Sequence, residues 1–276
     1  MIRLPGLALV AMLLPVTALA GSLETEADAQ VIAPAPAASL SGNPDLIFRL
    51  GAGLSYGSGY FGGTENELGP TGRLQLQFVR LPGGLTFGSP SGQARTGFSP
   101  HGSFRLIGER SATDYPELTG LNDVPLSVEL GLGLGYASDR FSAFADARYG
   151  AVGHHAWVGE FGADIIMRPS DRLTLTAGPR LLVGSTRYAN TYFGVTAAES
   201  VASGGALAAF NASGGAMTAG VEVGATYALS PLWSLDGALR YDRFVGDAGN
   251  SPIVAQGRDD DVRVSIGLSR LISLDF

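Results

Sequence analysis

The sequence contains no cysteine and no lysine. The first absence excludes disulfides, thiolate nucleophiles and cysteine-bound metals. The second has no structural explanation in the sequence itself: all 18 basic residues are arginine. Charge is scarce as well, at 16% of residues against about 25% in ordinary soluble domains. The net charge of −7 argues against a nucleic-acid partner. Only three histidines are present, which leaves little material for a metal site of three or four converging ligands. Beyond residue 20 no apolar run approaches the roughly 20 residues of a membrane-spanning helix, although mean hydropathy is +0.20.

Glycine is what the chain has in excess, 40 residues in 276. The first 20 residues, with Arg3, an apolar core and Ala18-Leu19-Ala20, have the layout of a secretory signal peptide cleaved after Ala20. Residues 21–44 are rich in Ala, Pro and acids and show no periodicity, so they read as a flexible periplasmic lead segment. From Asp45 to Phe276 the dominant pattern has period two. In "LSVELGLGLGY", Leu126, Val128, Leu130, Leu132, Leu134 and Tyr136 alternate with Ser127, Glu129 and glycines. Comparable alternation starts at Leu46, Leu74, Trp157, Leu173, Val221, Trp233 and Val262. A helix cannot use this pattern, because its apolar positions recur every 3.6 residues.

A soluble β-sandwich uses the same alternation with the apolar face inward. Three features favour a membrane barrel. The segments reach the ten or so residues that a tilted membrane strand needs. Their second faces carry glycine, hydroxyls and charges of both signs. Aromatics (Tyr56, Tyr136, Tyr149, Trp157, Tyr227, Trp233, Tyr241) fall near strand ends, as interfacial girdles do. Tight turns at 137–140, 169–172 and 230–233 alternate with long connections at 57–69, 110–124, 183–213 and 246–260. The expected fold is an all-β, antiparallel transmembrane β-barrel over 45–276, with the short turns periplasmic. Seven strands lie between 125 and 276, two at 45–56 and 70–80, and three short ones within 83–110, giving twelve; ten is the alternative.

The last strand, "VRVSIGLSRLISLDF", keeps an apolar face broken by Arg270 and ends on Phe276. That form resembles the assembly signal read by the barrel-assembly machinery. Arg270 on the lipid face at mid-depth would cost on the order of 2–4 kcal/mol, so it must reach the periplasmic interface or sit at a bulge.

The same alternation projects Arg49, Arg73, Arg105, Arg148, Arg180 and Arg240 into the lumen, with Glu109, Glu129, Asp146, Glu160, Asp164, Glu222, Asp236 and Asp242. Opposite charges confined there should pair. The expected lumen is partly filled by an arginine–carboxylate network and conducts little.

Motifs that suggest chemistry have plainer readings. Gly57–Gly62 fits G-x-G-x-x-G but is followed by no helical pattern. Gly53–Gly57 fits G-x-S-x-G, yet Ser55 lies within a regular strand rather than on an elbow. His154 and His155, with Ser142, Asp146 and Glu160, are compatible with a rim triad and equally with a solvated loop. Thr196 and Glu199 form a capping box and predict a short helix over 196–203. No catalytic residue, metal site or cofactor is expected.

"RYANTYFGVTAAESVASGG" (187–205), "GDAGNSPIV" (246–254), "LTGLNDVPLSVELG" (118–131) and "GHH" (153–155) together resemble the MipA/OmpV family of outer-membrane proteins. The family usually has Gly-His-Gly-Gly where this chain has Gly153-His154-His155-Ala156. The resemblance implies a non-enzymatic barrel in outer-membrane lipid that acts as a scaffold for peptidoglycan assembly, with a lytic transglycosylase and a murein synthase as partners. It supplies no catalytic residues. A narrow solute channel, a rim lipase or protease, and an adhesin are the alternatives.

Overall fold

The computed structural model describes residues 25–27, 43–88 and 97–275. The signal peptide with its cleavage point, most of the lead segment 21–44 and the terminal Phe276 lie outside these residues.

A single antiparallel sheet of twelve strands curls into a nearly closed barrel. Two strands are only three residues long: β1 (Thr25–Ala27) and β4 (Thr86–Gly88). The remaining ten form the wall: β2 (Leu46–Ser58), β3 (Asn66–Arg80), β5 (Gly97–Ile107), β6 (Ser127–Ala137), β7 (Phe141–Val152), β8 (Trp157–Ser170), β9 (Leu173–Gly184), β10 (Gly215–Ala228), β11 (Trp233–Phe244) and β12 (Asp260–Leu274). The count of twelve spanning strands is therefore corrected to the alternative, ten. The seven strands after residue 125 and the two before residue 80 are present. The described residues of the region 83–110, in contrast, supply one spanning strand and one stub in place of three strands. Its glycines and Pro100 break the apolar alternation without breaking β5.

Strands β5 to β12 pair in sequence order, β12 pairs with β2, and β2 with β3. The seam lies between β3 and β5. There β4 pairs with Phe78–Arg80 of β3, and β1 pairs with Phe104–Leu106 of β5 while lying beside β3. Short turns occupy one end of the barrel; the long connections 185–214 and 245–259 occupy the other, which we take as the outer end.

The wall explains the composition. Leu50, Leu54, Leu130, Leu132, Leu134, Ile165, Val221, Val223, Ile266 and Leu268 face outward and stay exposed. For a soluble protein this belt would be an aggregation surface; on a transmembrane barrel it is the face that such a wall presents to lipid. Two aromatic girdles border it. Tyr56, Tyr149, Trp157 and Tyr241 lie toward the outer end, and Phe98, Tyr136, Tyr227 and Trp233 toward the periplasmic end. Arg270 keeps its outward direction with no bulge in β12, opposite Trp233, with its guanidinium 5.3 Å from that ring. Its place in the periplasmic girdle removes the mid-depth penalty.

Inward glycines make room for long side chains from neighbouring strands. A Cβ on Gly133 would lie 2.0 Å from Asp146 Oδ1 and 2.3 Å from His101 Nε2, so that contact exists only over a glycine. Among the described residues no helix is long and apolar enough to cross a membrane.

Candidate functional site

The interior contains three layers. At the periplasmic end Ile47, Phe78 and Leu271 pack together with Leu232 against them. A bulge between β2 and β3 near Ile47/Phe48 turns Phe78 inward to join them.

The middle layer is charged. Arg148 of β7 donates to Glu129 (2.9 Å) and Glu160 (2.8 Å), and to Ser103 Oγ (3.1 Å). Glu160 of β8 accepts a second guanidinium from Arg240 of β11 at 2.8 Å. Those strands stand three positions apart around the wall, so this pair bridges the lumen. Arg240 also holds Asp242. Arg180 joins Asp164 (3.0 Å) and Glu222 (2.9 Å). Asp236 accepts from Arg73 (3.4 Å) and Thr226 (2.9 Å), and Ser269 donates to its other oxygen. Arg49 donates to Ser234 Oγ at 3.0 Å. Arg105 is buried, its guanidinium 5.8 Å from the Phe61 ring.

The structure thus places Arg49, Arg73, Arg105, Arg148, Arg180, Arg240, Glu129, Asp146, Glu160, Asp164, Glu222, Asp236 and Asp242 inside the barrel. Glu109 is the exception. β5 ends at Ile107, and Glu109 is exposed in the outer connection, because strand alternation does not extend past the strand. The sequence reading missed His101, which sits 2.7 Å from Asp146 through Nε2, and Ser103, which donates to the same carboxylate at 2.6 Å. Both share the inward parity of Arg105, and that was the available signal.

The outer layer is a dome. α1 (Thr186–Phe193), α2 (Ala197–Ala202), α3 (Gly246–Gly249) and α4 (Pro252–Gln256) fold over the mouth. Tyr188, Ala189, Tyr192, Phe193, Ala212, Met217, Ala248 and Val254 are buried together with Leu182, Val158 and Phe244 of the wall. Phe61 enters from the β2–β3 connection and lies 5.2 Å from Tyr192 and 5.5 Å from Phe193, centroid to centroid. Ser185 caps α1, and Ser251 caps α4 while its hydroxyl donates to Phe193 O at 2.7 Å. A second cluster of Tyr115, Leu118, Leu121, Val195, Leu207 and Ile253 joins the connection 108–126 to this dome. Burial, then hydrogen bonds to Glu117 and Glu67 and the charge of those carboxylates, push the phenols of Tyr60 and Tyr115 well above the usual tyrosine range.

His154 belongs to the dome's foundation. Its Nδ1 accepts from Ala156 N–H (3.1 Å), which leaves Nε2–H to face Glu129 Oε1 at 3.1 Å. Tyr188 and Tyr192 pack on its ring. Gly150 leaves space for the imidazole, since a Cβ there would lie 2.4 Å from it. No rim triad forms from the candidates. His154 is buried against Glu129, His155 is exposed in a turn with φ 49°, and Ser142 is paired opposite Asp164 near the periplasmic end of β7. Among the described residues no group of three or more His, Cys, Asp or Glu is placed to hold a metal.

The capping box is present: Glu199 N–H donates to Thr196 Oγ1, and Glu199 Oε2 accepts from Thr196 N–H at 2.8 Å. The other Glu199 oxygen accepts from Asn122 N–H (2.9 Å) and Nδ2 (2.8 Å), tying the connections 108–126 and 185–214 together. Burial alone would raise this carboxyl, but those donors outweigh it and hold it below the ordinary glutamate range. A depressed folded value gives stability above the unfolded pKa and loses it as pH falls through the folded one. The tie should therefore survive mild acid and fail only below the ordinary glutamate titration. Glu199→Gln should weaken it by about 1 kcal/mol. Limited proteolysis of 196–206 against pH checks both expectations, and equal cleavage of wild type and variant at neutral pH would contradict them.

The family model described as "MltA-interacting protein MipA" matches residues 50–271. The chain belongs to the MipA family. The match takes in every spanning strand except the first residues of β2 and the last of β12. No curated protein matches the sequence. Solved structures that the chain matches include outer-membrane protein OprG from Pseudomonas aeruginosa, at 10% identity over 86% of this chain and 100% of that one, TM-score 0.26. Ail, the attachment invasion locus protein of Yersinia pestis, shares 10% identity over 83% and 99%, TM-score 0.28. The outer-membrane protease OmpT of Escherichia coli shares 10% over 85% and 99%, TM-score 0.34.

Proposed function

We propose that this family member is a non-enzymatic, non-conducting outer-membrane barrel that docks peptidoglycan-remodelling enzymes, first among them a lytic transglycosylase of the MltA type. The family match over residues 50–271 carries this reading. The interior supports it, because among the described residues the dome and the charge network lie in series across the lumen. The signal peptide is cut after Ala20, and lipid and the barrel-assembly machinery are the partners of insertion, with Phe276 as the residue read at assembly. A periplasmic enzyme meets the barrel at the short turns around 81–85, 138–140 and 229–232. Leu81, Leu85 and Leu229 are exposed there.

Two measurements test the proposal. The purified full-length protein should show no large, steady conductance in planar bilayers. It should capture a purified MltA-type transglycosylase, and replacing 81–85 and 229–232 by Gly-Ser turns should abolish capture. Steady conductance, or capture indifferent to every turn, would discard the reading.

A further inference from the structure

The seam between β3 and β5 is built into the sequence. β3 pairs with β2 along its length; on its other side, among the described residues, its backbone pairing is through Phe78–Arg80, with β4. β5 pairs with β6 along its length; on its other side, among the described residues, it pairs through Phe104–Leu106, with β1. Each of the two seam strands has a proline well inside it, Pro70 in β3 and Pro100 in β5. A proline lacks the N–H that a ladder needs, so prolines in sheets concentrate on edges. Both prolines sit in unbroken registers with their inner neighbours, opposite Leu54 and Leu134, so the missing donors fall on the seam side. In the interior strands the prolines coincide instead with interruptions of the β8–β9 ladder, at Pro169 and around Pro179. β3 and β5 are thus poorly suited to zip onto each other.

Thr25–Ala27 lies in that gap, antiparallel to β5 with Thr25 opposite Leu106, Glu26 opposite Arg105 and Ala27 opposite Phe104. The same segment is tied again where it enters β2. Arg80 of β3 donates through Nη2 to Asn43 Oδ1 (2.6 Å) and through its N–H to Asp45 O (2.6 Å).

We propose that the amino-terminal segment is a seam strand. Thr25–Ala27 docks on the β5 edge and shuts the barrel wall laterally, so that the charged interior beside Ser103 and Arg105 is screened by a piece of chain paired to that edge through its backbone. Closure of this barrel is then completed by residues outside the β2–β12 wall. Thr25–Ala27 is then occupied in the wall rather than available to a periplasmic partner. This inference stands apart from the docking role.

The absence of native cysteine makes the test direct. Thr25→Cys with Leu106→Cys in the full-length protein should oxidise to a faster-migrating band, whereas Thr25→Cys with Leu132→Cys, on the outward face of β6, should not. In the single variant Ser103→Cys, a water-soluble maleimide in detergent should label the lumen slowly. Adding Glu26→Pro should speed labelling by about tenfold, the factor that one or two lost backbone hydrogen bonds carry. The Ser103 change is nearly isosteric, and the unheated electrophoretic band reports whether each barrel is folded. Failure of the Thr25–Leu106 pair to crosslink above its control would overturn the proposal. So would identical labelling of Ser103→Cys with and without Glu26→Pro in folded protein.

Discussion

Replacing Arg148 with methionine is expected to destabilise the folded barrel by about 3–5 kcal/mol, the range for removing one partner of a buried ion pair. Arg148 is 3% exposed and serves Glu129, Glu160 and Ser103, with Asp146 3.6 Å away. Methionine fills part of the volume but leaves Glu129 and Glu160, both fully buried, to face each other without that cation. One carboxylate must then take up a proton or the wall must open to water. Arg240 still reaches Glu160, while Glu129 loses its guanidinium hydrogen bond and keeps His154 and the nearby charge of Arg105 on the adjacent strand. Urea unfolding in detergent, read by the unheated electrophoretic mobility, measures the change. Arg243→Ala is the matched control: its pair with Asp259 is close, at 2.7 Å, but the side chains are 61% and 59% exposed, and exposed pairs contribute about 0–1 kcal/mol. Equal midpoints for the two variants would mean that the lumen network is hydrated and does not hold the wall.

This network also marks how far the sequence could be read. Parity along a strand decides which side chains turn inward, and it placed Arg148, Glu160 and Arg240 on the inner face. It contains nothing about height or distance around the wall, so the Glu160–Arg240 bridge, 80 residues apart, needed the register of four strands. Parity also overreached at Glu109, beyond the end of β5. The strand count failed in 83–110 for a related reason. Pro100 and the glycines make β5 look like fragments, and only its place at a seam explains why a proline is tolerated there. In the dome, Thr196 and Glu199 announced α2 because a capping box is local chemistry. α1 lay unread within 183–213, although Ser185 caps it and Tyr188, Ala189 and Tyr192 share one buried face. A helix of 8 residues has too few turns for its period to stand out from the surrounding alternation.

Phe193→Ala is expected to produce the second large effect, and a selective one. The ring is fully buried, close to Phe61 and Phe244 (5.8 Å), while its carbonyl accepts from Ser251. Truncating a buried phenylalanine costs about 3–5 kcal/mol. Here the loss should fall on the dome, because the wall is held by its own ladders and by the layer of ion pairs below. Protease should cut 185–214 and 245–259 far faster than in the wild type, while the barrel band keeps its unheated mobility. Conductance should stay low, since Arg148, Glu160 and Arg240 still bridge the lumen beneath the loosened dome. A steady pore in Phe193→Ala would show that the dome alone blocks the barrel and that the charged layer conducts. Loss of the folded band would show that wall and dome unfold as one unit. The first result would replace two seals in series with a single one.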